Sequence, residues 1–211
     1  RYAVLGKEES CTGDPARRAG NEMLYQMQAL QNIELFRSYG VKKILTLCPH
    51  CFNIFKNEYP DLGGHYEVIH YLQFLNDQIE KGTLTPDPKV VRNVRVTYHD
   101  PCYLGRANDI YQEPRNVLRF LTTELVEMHR NKSFALCCGA GGAQMFKEAE
   151  KGDKEVFLER TEEALQTGAS IIATACPFCM TMMTDGIKYK NKEEEIRNYD
   201  IAELIAMNLD L

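Results

Sequence analysis

The chain has no tryptophan, and nowhere in its 211 residues does an apolar run approach the ~20 positions a helix needs to span a bilayer. A basic segment followed by an apolar one is also missing from the opening residues, so no secretory leader is read there. Basic charge is in deficit. Against 30 Asp and Glu stand 25 Lys and Arg, a formal charge of −5, which argues against nucleic acid as a partner because phosphate backbones are bound by basic surface fields. Eight cysteines are too few for a disulfide scaffold of this length, and with no targeting segment an intracellular metal or redox site is the better expectation. The first residue is Arg1 rather than Met, which suggests a fragment or a processed product.

What remains is globular material, 44% hydrophobic and 26% charged, and the cysteines in it are not scattered. Leu47-Cys48-Pro49-His50-Cys51-Phe52 returns as Ala175-Cys176-Pro177-Phe178-Cys179-Met180, offset by 128 residues (48 to 176), and Cys11-Thr12-Gly13 returns as Cys137-Cys138-Gly139, offset by 126 (11 to 137). Before each Cys-Pro-x-Cys lies a strand-like run, Ile44–Leu47 and Ile171–Thr174. Each run follows a helical stripe closed by glycine: Met23, Met27, Leu30, Ile33 and Phe36 to Gly40, then Phe157, Leu158, Thr161, Ala164 and Leu165 to Gly168. A further amphipathic helix follows each motif, Val68 to Ile79 and Ile201 to Leu209. The expected fold is α/β, with two pseudo-repeated halves, each a small parallel sheet flanked by helices, and a metal site at the carboxyl edge of the strands. Residues 1–81 form the first repeat, 82–89 a linker broken by Gly82, Pro86 and Pro88, and 90–211 the second repeat. The second half carries one strand more, Val94–Tyr98, leading into His99-Asp100-Pro101-Cys102. Its counterpart would precede residue 1, so the first half is expected to want a strand and a cysteine.

In the second half Cys102, the Cys137-Cys138 pair, and Cys176 with Cys179 would converge from three loops. The Pro-Phe step between Cys176 and Cys179 suits a helix start, whose partial positive charge favours thiolate. Gly139, Gly141 and Gly142 remove Cβ atoms beside the pair and let the backbone come close to a bulky inorganic group. Zinc normally takes four ligands, often from two Cys-x2-Cys knuckles, whereas each half has one knuckle; five thiols point instead to iron and sulfide. Zinc stays open as an alternative, as does a redox-active dithiol at Cys48 and Cys51.

The complete half, Cys102-x34-Cys137-Cys138-Gly139-x36-Cys176-Pro177-Phe178-Cys179, resembles the tandem cysteine-rich CCG domain of heterodisulfide reductase-type iron–sulfur proteins, and the likeness covers essentially the whole chain. The resemblance implies a non-cubane [4Fe-4S] cluster on Cys102, Cys137, Cys138, Cys176 and Cys179. The string Glu9-Ser10-Cys11-Thr12-Gly13-Asp14-Pro15-Ala16-Arg17-Arg18 looks most like the membrane-linked branch that carries electrons from electron-transferring flavoprotein to menaquinone. That branch implies a flavoprotein donor, a quinone or haem membrane domain as acceptor, and a cytoplasmic position at the inner face of the membrane. The first half departs from the pattern, because Thr12 replaces the second cysteine of the pair. Cys11, Cys48 and Cys51 then form an incomplete site, filled by a cubane cluster only if a cysteine from outside the chain joins them, or if Asp14 or His50 helps.

The leading reading is an iron–sulfur electron-transfer module of a respiratory oxidoreductase. A second makes the cluster the active site of a heterodisulfide or disulfide reductase, and a third is a zinc-stabilised interaction domain. An open, basic cavity at Cys137-Cys138 containing Arg106 would favour the second. His99 and Asp100 are candidates for proton relay to a thiol substrate, with simple hydrogen bonding of the loop as the plainer role. His65, His70 and His129 fit surface or helix-face positions. Met145, Phe146, Met180, Met182 and Met183 fit core or cluster-shielding positions, and Lys188 to Arg197 reads as a solvated segment.

Overall fold

A computed structural model describes residues 2–85, 91–148 and 151–209. The chain folds as α/β with two parallel sheets flanked by helices. The first half contains α1 (Asp14–Arg18), α2 (Glu22–Ser38), β1 (Lys43–Thr46), α3 (Pro49–Asn53), β2 (Glu67–His70) and α4 (Tyr71–Glu80). The second contains β3 (Arg95–Tyr98), α5 (Gln112–Leu121), β4 (Glu124–Val126), α6 (Val156–Gln166), β5 (Ile171–Thr174), α7 (Pro177–Tyr189), β6 (Arg197–Asp200) and α8 (Ile201–Met207).

The repeat holds at the level of register. In the first sheet β1 pairs parallel with β2, Thr46 opposite His70. In the second, ordered β4-β3-β5-β6, β5 pairs parallel with β6, Thr174 opposite Asp200. Both second strands run straight into a capped helix: His70 caps α4 with Gln73 reaching back, and Asp200 caps α8 with Glu203 doing the same. The helices before β1 and β5 both release the chain through a left-handed glycine, Gly40 at φ +65° and Gly168 at +66°.

The copies differ in what covers them. All four residues of β5 are buried, because β3 lies on one side of it and β6 on the other. Among the described residues β1 pairs with β2 alone, and Lys43 and Leu45 are exposed. The halves nonetheless share one core, in which Phe52, Tyr71 and Leu72 of the first pack with Val96, Tyr98, Leu104, Val117, Leu118 and Ile201 of the second. Burying each large apolar side chain contributes roughly 1.5–3 kcal/mol.

Several elements depart from the sequence-based expectation. Val68 to His70 is strand, and the helix that follows starts at Tyr71. In α2 the inward face is Tyr25, Ala29, Asn32, Ile33 and Phe36, while Met23, Met27 and Leu30 are exposed. The supposed solvated segment starts inside α7, includes buried Ile196 and ends on the first residue of β6. Of the expected 82–89 linker, residues 86–89 lie outside the described residues.

Candidate metal centre

The cysteines sit where the strands release the chain. After β5, Cys176 is the N-cap of α7 with Pro177 in its first turn, and after β1, Cys48 and Pro49 open α3 in the same way. Proline suits the first turn because its missing N–H has no helical partner to lose. After β3 the chain passes through His99, Asp100 and Pro101 to Cys102. The Cys137-Cys138 pair is reached from β4 through a turn that contains Lys132 at φ +55°.

Asp100 binds these two loops together. Its carboxylate accepts two hydrogen bonds from Arg115, at 2.8 and 2.9 Å, and one from the backbone N–H of Lys132, at 2.8 Å. Arg115 also donates to Glu127 at 2.7 and 2.8 Å and to the Tyr111 carbonyl at 2.9 Å. A guanidinium with no exposed surface needs that many acceptors, since a buried charge without them is severely destabilising. Asp100 is therefore a brace between the two cysteine loops.

The sulfurs form one connected run. Cys102 adjoins Cys137, Cys137 adjoins Cys138, Cys138 adjoins Cys179 and Cys179 adjoins Cys176. All eight cysteines are free. Hydrogen bonds from Cys102 and Cys138 hold the Cys137 thiol far below its ordinary range, and bonds from Cys179 and Cys48 do the same for Cys176. Their neighbours move up: Cys138, hydrogen-bonded to Cys137 and desolvated, is pushed to about 12, and Cys102 and Cys179 are raised as well. So many adjoining thiols cannot all ionise without a cation among them. The Gly139 N–H donates to the Cys137 sulfur at 3.3 Å, and at φ +89° Gly139 holds a turn few other residues adopt. A Cβ there would lie 3.4 Å from the Cβ of Val156.

The first set joins the second. Cys51 adjoins Cys48, and Cys48 adjoins Cys176 across the two halves, so seven sulfurs are neighbours in one run. Hydrogen bonding to Cys176 and burial raise the Cys48 thiol to about 12. Thr12 stands in the place of Cys138 with its hydroxyl 3.8 Å from the Cys51 sulfur. Cys11 is exposed, and its carbonyl accepts a hydrogen bond from Asn32 at 3.1 Å. Asp14 and His50, the two suggested auxiliary ligands, bond each other at 2.8 Å, and Asp14 also pairs with Arg18 at 3.0 Å. The His50 ring packs on Phe178 at 4.6 Å and on Tyr103 at 4.5 Å, so the two Cys-Pro-x-Cys motifs meet at their variable residues.

His99 has no exposed surface, and burial pushes its ring down to about 3, which keeps it neutral. One of its ring nitrogens lies with the Cys138 and Cys179 sulfurs inside a 4.8 Å cluster. Arg160, also fully buried, donates to His99 Nδ1 at 2.9 Å. Neither Arg160 nor Arg115 was singled out from sequence; Arg160 falls within the Phe157-to-Leu165 stripe, where an arginine among core-facing positions was the available signal. Arg106 is exposed and lines an open hollow of about 380 Å³ with Cys102, Tyr103, Ala107, Gly141 and Gly142, while donating to the Ala135 carbonyl at 2.6 Å. His70, expected on a surface or helix face, is instead wholly buried, and Phe146, expected in the core or shielding the cluster, is 64% exposed.

Two like halves bringing seven thiols to one seam define a duplicated cysteine-rich module. Residues 1–56 and 96–184 match the family model of the CCG cysteine-rich domain, and the chain belongs to that family. It is 44% identical over 210 residues to the EtfAB:quinone oxidoreductase of Syntrophomonas wolfei, covering 97% of this chain and 29% of that protein. It is 43% identical over 209 residues to the probable iron-sulfur-binding oxidoreductase FadF of Bacillus subtilis, covering 99% and 29%. To a subunit of the dihydromethanophenazine:CoB–CoM heterodisulfide reductase of Methanosarcina barkeri it is 37% identical over 220 residues, covering 100% and 52%. The chain thus spans between about a third and a half of these relatives.

Proposed function

We propose that this chain is the iron–sulfur electron-carrying region of a larger oxidoreductase, accepting electrons from a flavoprotein and passing them toward a quinone-linked chain. The observation that carries the reading is the unbroken sulfur run from Cys102 to Cys51 through both halves, which would give an electron a continuous path between the two cysteine sets. The similarity to an EtfAB:quinone oxidoreductase and to an iron-sulfur-binding oxidoreductase supports the choice of redox chemistry over structural zinc. Cys102, Cys137, Cys138, Cys176 and Cys179 would hold the cluster, a [4Fe-4S] group of non-cubane type. The donor set fits: it is all sulfur, exceeds the four ligands zinc takes, and includes three cysteines at most 4% exposed. Once bound, the group supplies reversible one-electron transfer. The protein's share is to hold the five thiolates together, to neutralise them with backbone N–H groups such as that of Gly139, and to exclude water behind Cys138, Cys176 and Cys179.

Cys11, Cys48 and Cys51 would serve a second, cubane cluster completed by a thiolate from outside residues 1–211. The donor would be electron-transferring flavoprotein, and the acceptor a haem or quinone membrane domain at the inner face of the membrane. Among the described residues no helix is long and apolar enough to cross a membrane, while one relative, from Chromohalobacter salexigens, is called a probable membrane-anchored ferredoxin. The repeats would divide at 1–81 and 90–211.

One observation favours a second reading. The open hollow lies beside Cys102, with Arg106 on its wall and neither Cys137 nor Cys138 lining it, and would seat an anionic thiol for reduction of a disulfide at the cluster edge.

The test is iron, acid-labile sulfide and zinc per chain, with low-temperature EPR, on anaerobically purified protein and on Cys138→Ser. About four irons with matching sulfide, altered by Cys138→Ser, supports the cluster. About one zinc, no sulfide and indifference to Cys138→Ser overturns it.

A further inference from the structure

We infer that His99, fixed by Arg160 with its proton on Nε2, is a hydrogen-bond donor to the cysteine–cluster assembly and raises its reduction potential, without ligating iron or relaying protons. The inference rests on the reading that these cysteines hold a cluster.

A guanidinium has donors and no acceptor, so the 2.9 Å bond from Arg160 Nε to His99 Nδ1 takes up the Nδ1 lone pair. A neutral ring then carries its proton on Nε2. Arg160 cannot turn away easily, because Nη1 donates to the Arg130 carbonyl at 2.7 Å and to Glu163 at 3.0 Å in a fully buried setting. Glu163 in turn is tied to Arg130 at 3.1 Å. The Nε2 atom is buried and has no hydrogen-bond partner among the described residues. Buried donors are almost always satisfied, and what adjoins this ring is the pair of sulfurs of Cys138 and Cys179. Thiolates and sulfides are the acceptors such a donor would find there. Ligation through Nε2 would require removing its proton while Nδ1 is still engaged by Arg160, or breaking the Arg160 bond to move the proton to Nδ1.

An N–H donated to cluster sulfur favours the more negative, reduced state, so losing it lowers the potential. The experiment compares iron content and EPR-monitored redox titration of the unsubstituted chain, His99→Leu and His99→Gln. Expected is full iron in all three, a reduction equilibrium at least tenfold less favourable in His99→Leu, equal to about 59 mV for one electron, and partial recovery in His99→Gln, whose amide can donate. Iron retained with an unmoved potential in His99→Leu overturns the inference alone. So does loss of iron from folded His99→Leu and His99→Gln, which would make His99 a ligand. No iron in the unsubstituted chain overturns the cluster reading and this inference with it. Nitrogen-15 NMR of the metal-free chain gives an independent check should the variants fail to fold: a proton on Nε2 supports the assignment, and a proton on Nδ1 overturns it.

Discussion

Arg115 closes on Asp100 through two parallel hydrogen bonds, 2.8 and 2.9 Å long, with neither side chain more than 3% exposed. The pair spans from α5 to the loop that carries Cys102, and through Lys132 it reaches the loop that carries Cys137. Replacing Arg115 with Met leaves a buried carboxylate without its cation, which costs about 3–5 kcal/mol. Guanidinium unfolding should show that loss. Arg115→Lys should recover little of it, because a point charge cannot reproduce the fork that serves Asp100 and Glu127 together.

A second prediction concerns acid. His70 is buried and pushed down to about 4; its Nδ1 accepts from the Leu72 N–H, and Nε2 lies 3.1 Å from the Leu47 carbonyl. In the unfolded chain the ring titrates near 6.5, so between those values the unfolded state binds more protons. The stability contributed by His70 is complete above pH 6.5 and falls as pH drops toward 4, by about 2 kcal/mol at pH 5. Urea midpoints at about pH 7 and pH 5 should lie further apart for the natural chain than for His70→Asn, which offers a capping oxygen in place of Nδ1 and does not titrate.

Where α7 crosses α6, Gly186 faces Thr161 so closely that a Cβ on it would overlap the Thr161 hydroxyl and stand 2.9 Å from the Thr161 Cβ. Gly186→Ala is therefore expected to destabilise by about 1–3 kcal/mol despite alanine's better helix propensity. Pairing it with Thr161→Ala, which removes the overlapping hydroxyl, should recover part of the loss. A thermal melt of the two variants side by side decides the matter, and equal melting temperatures would rule out the crowding account.

His50 and Phe178, ring centroids 4.6 Å apart at 71°, form an edge-on contact between the two Cys-Pro-x-Cys motifs. A double-mutant cycle through His50→Ala and Phe178→Ala should return a coupling of about 0.5–1.5 kcal/mol. Additive losses would mean that the motifs touch without energetic consequence.

How much of this was readable in advance varied with the kind of signal. The duplicated cysteine strings and their flanking runs gave the parallel α/β halves, β1, β3 and β5 to within a residue, and the helix start at Pro177. Residues 112–126 carried no repeated landmark, so α5 and β4 went unseen. Periodicity draws Val68 into a helix because β2 passes into α4 with no intervening loop, and a boundary enforced by a single histidine cap leaves no mark on the apolar pattern. On α2 the methionine stripe is as regular as the buried one, and the tertiary neighbours chose Tyr25 and Ala29 instead. All five cysteines of the second set were named from spacing, yet the Cys48–Cys176 contact joining the sets depends on how the halves pack. Arg115 looks like a surface charge until its acceptors are placed around it.

That contact makes the molecule behave like a homodimer whose subunits have been fused. Near a twofold axis, equivalent residues of two identical subunits meet each other, and here Cys48 meets its equivalent Cys176 while His50 meets its equivalent Phe178. In a true homodimer each substitution at such a position would appear twice and face itself. Once the subunits share a chain, each copy can mutate alone: one has Thr12 where the other keeps Cys138, and histidine can rest against phenylalanine. Fusion thus lets the two cysteine sets diverge without dismantling the seam that holds them together.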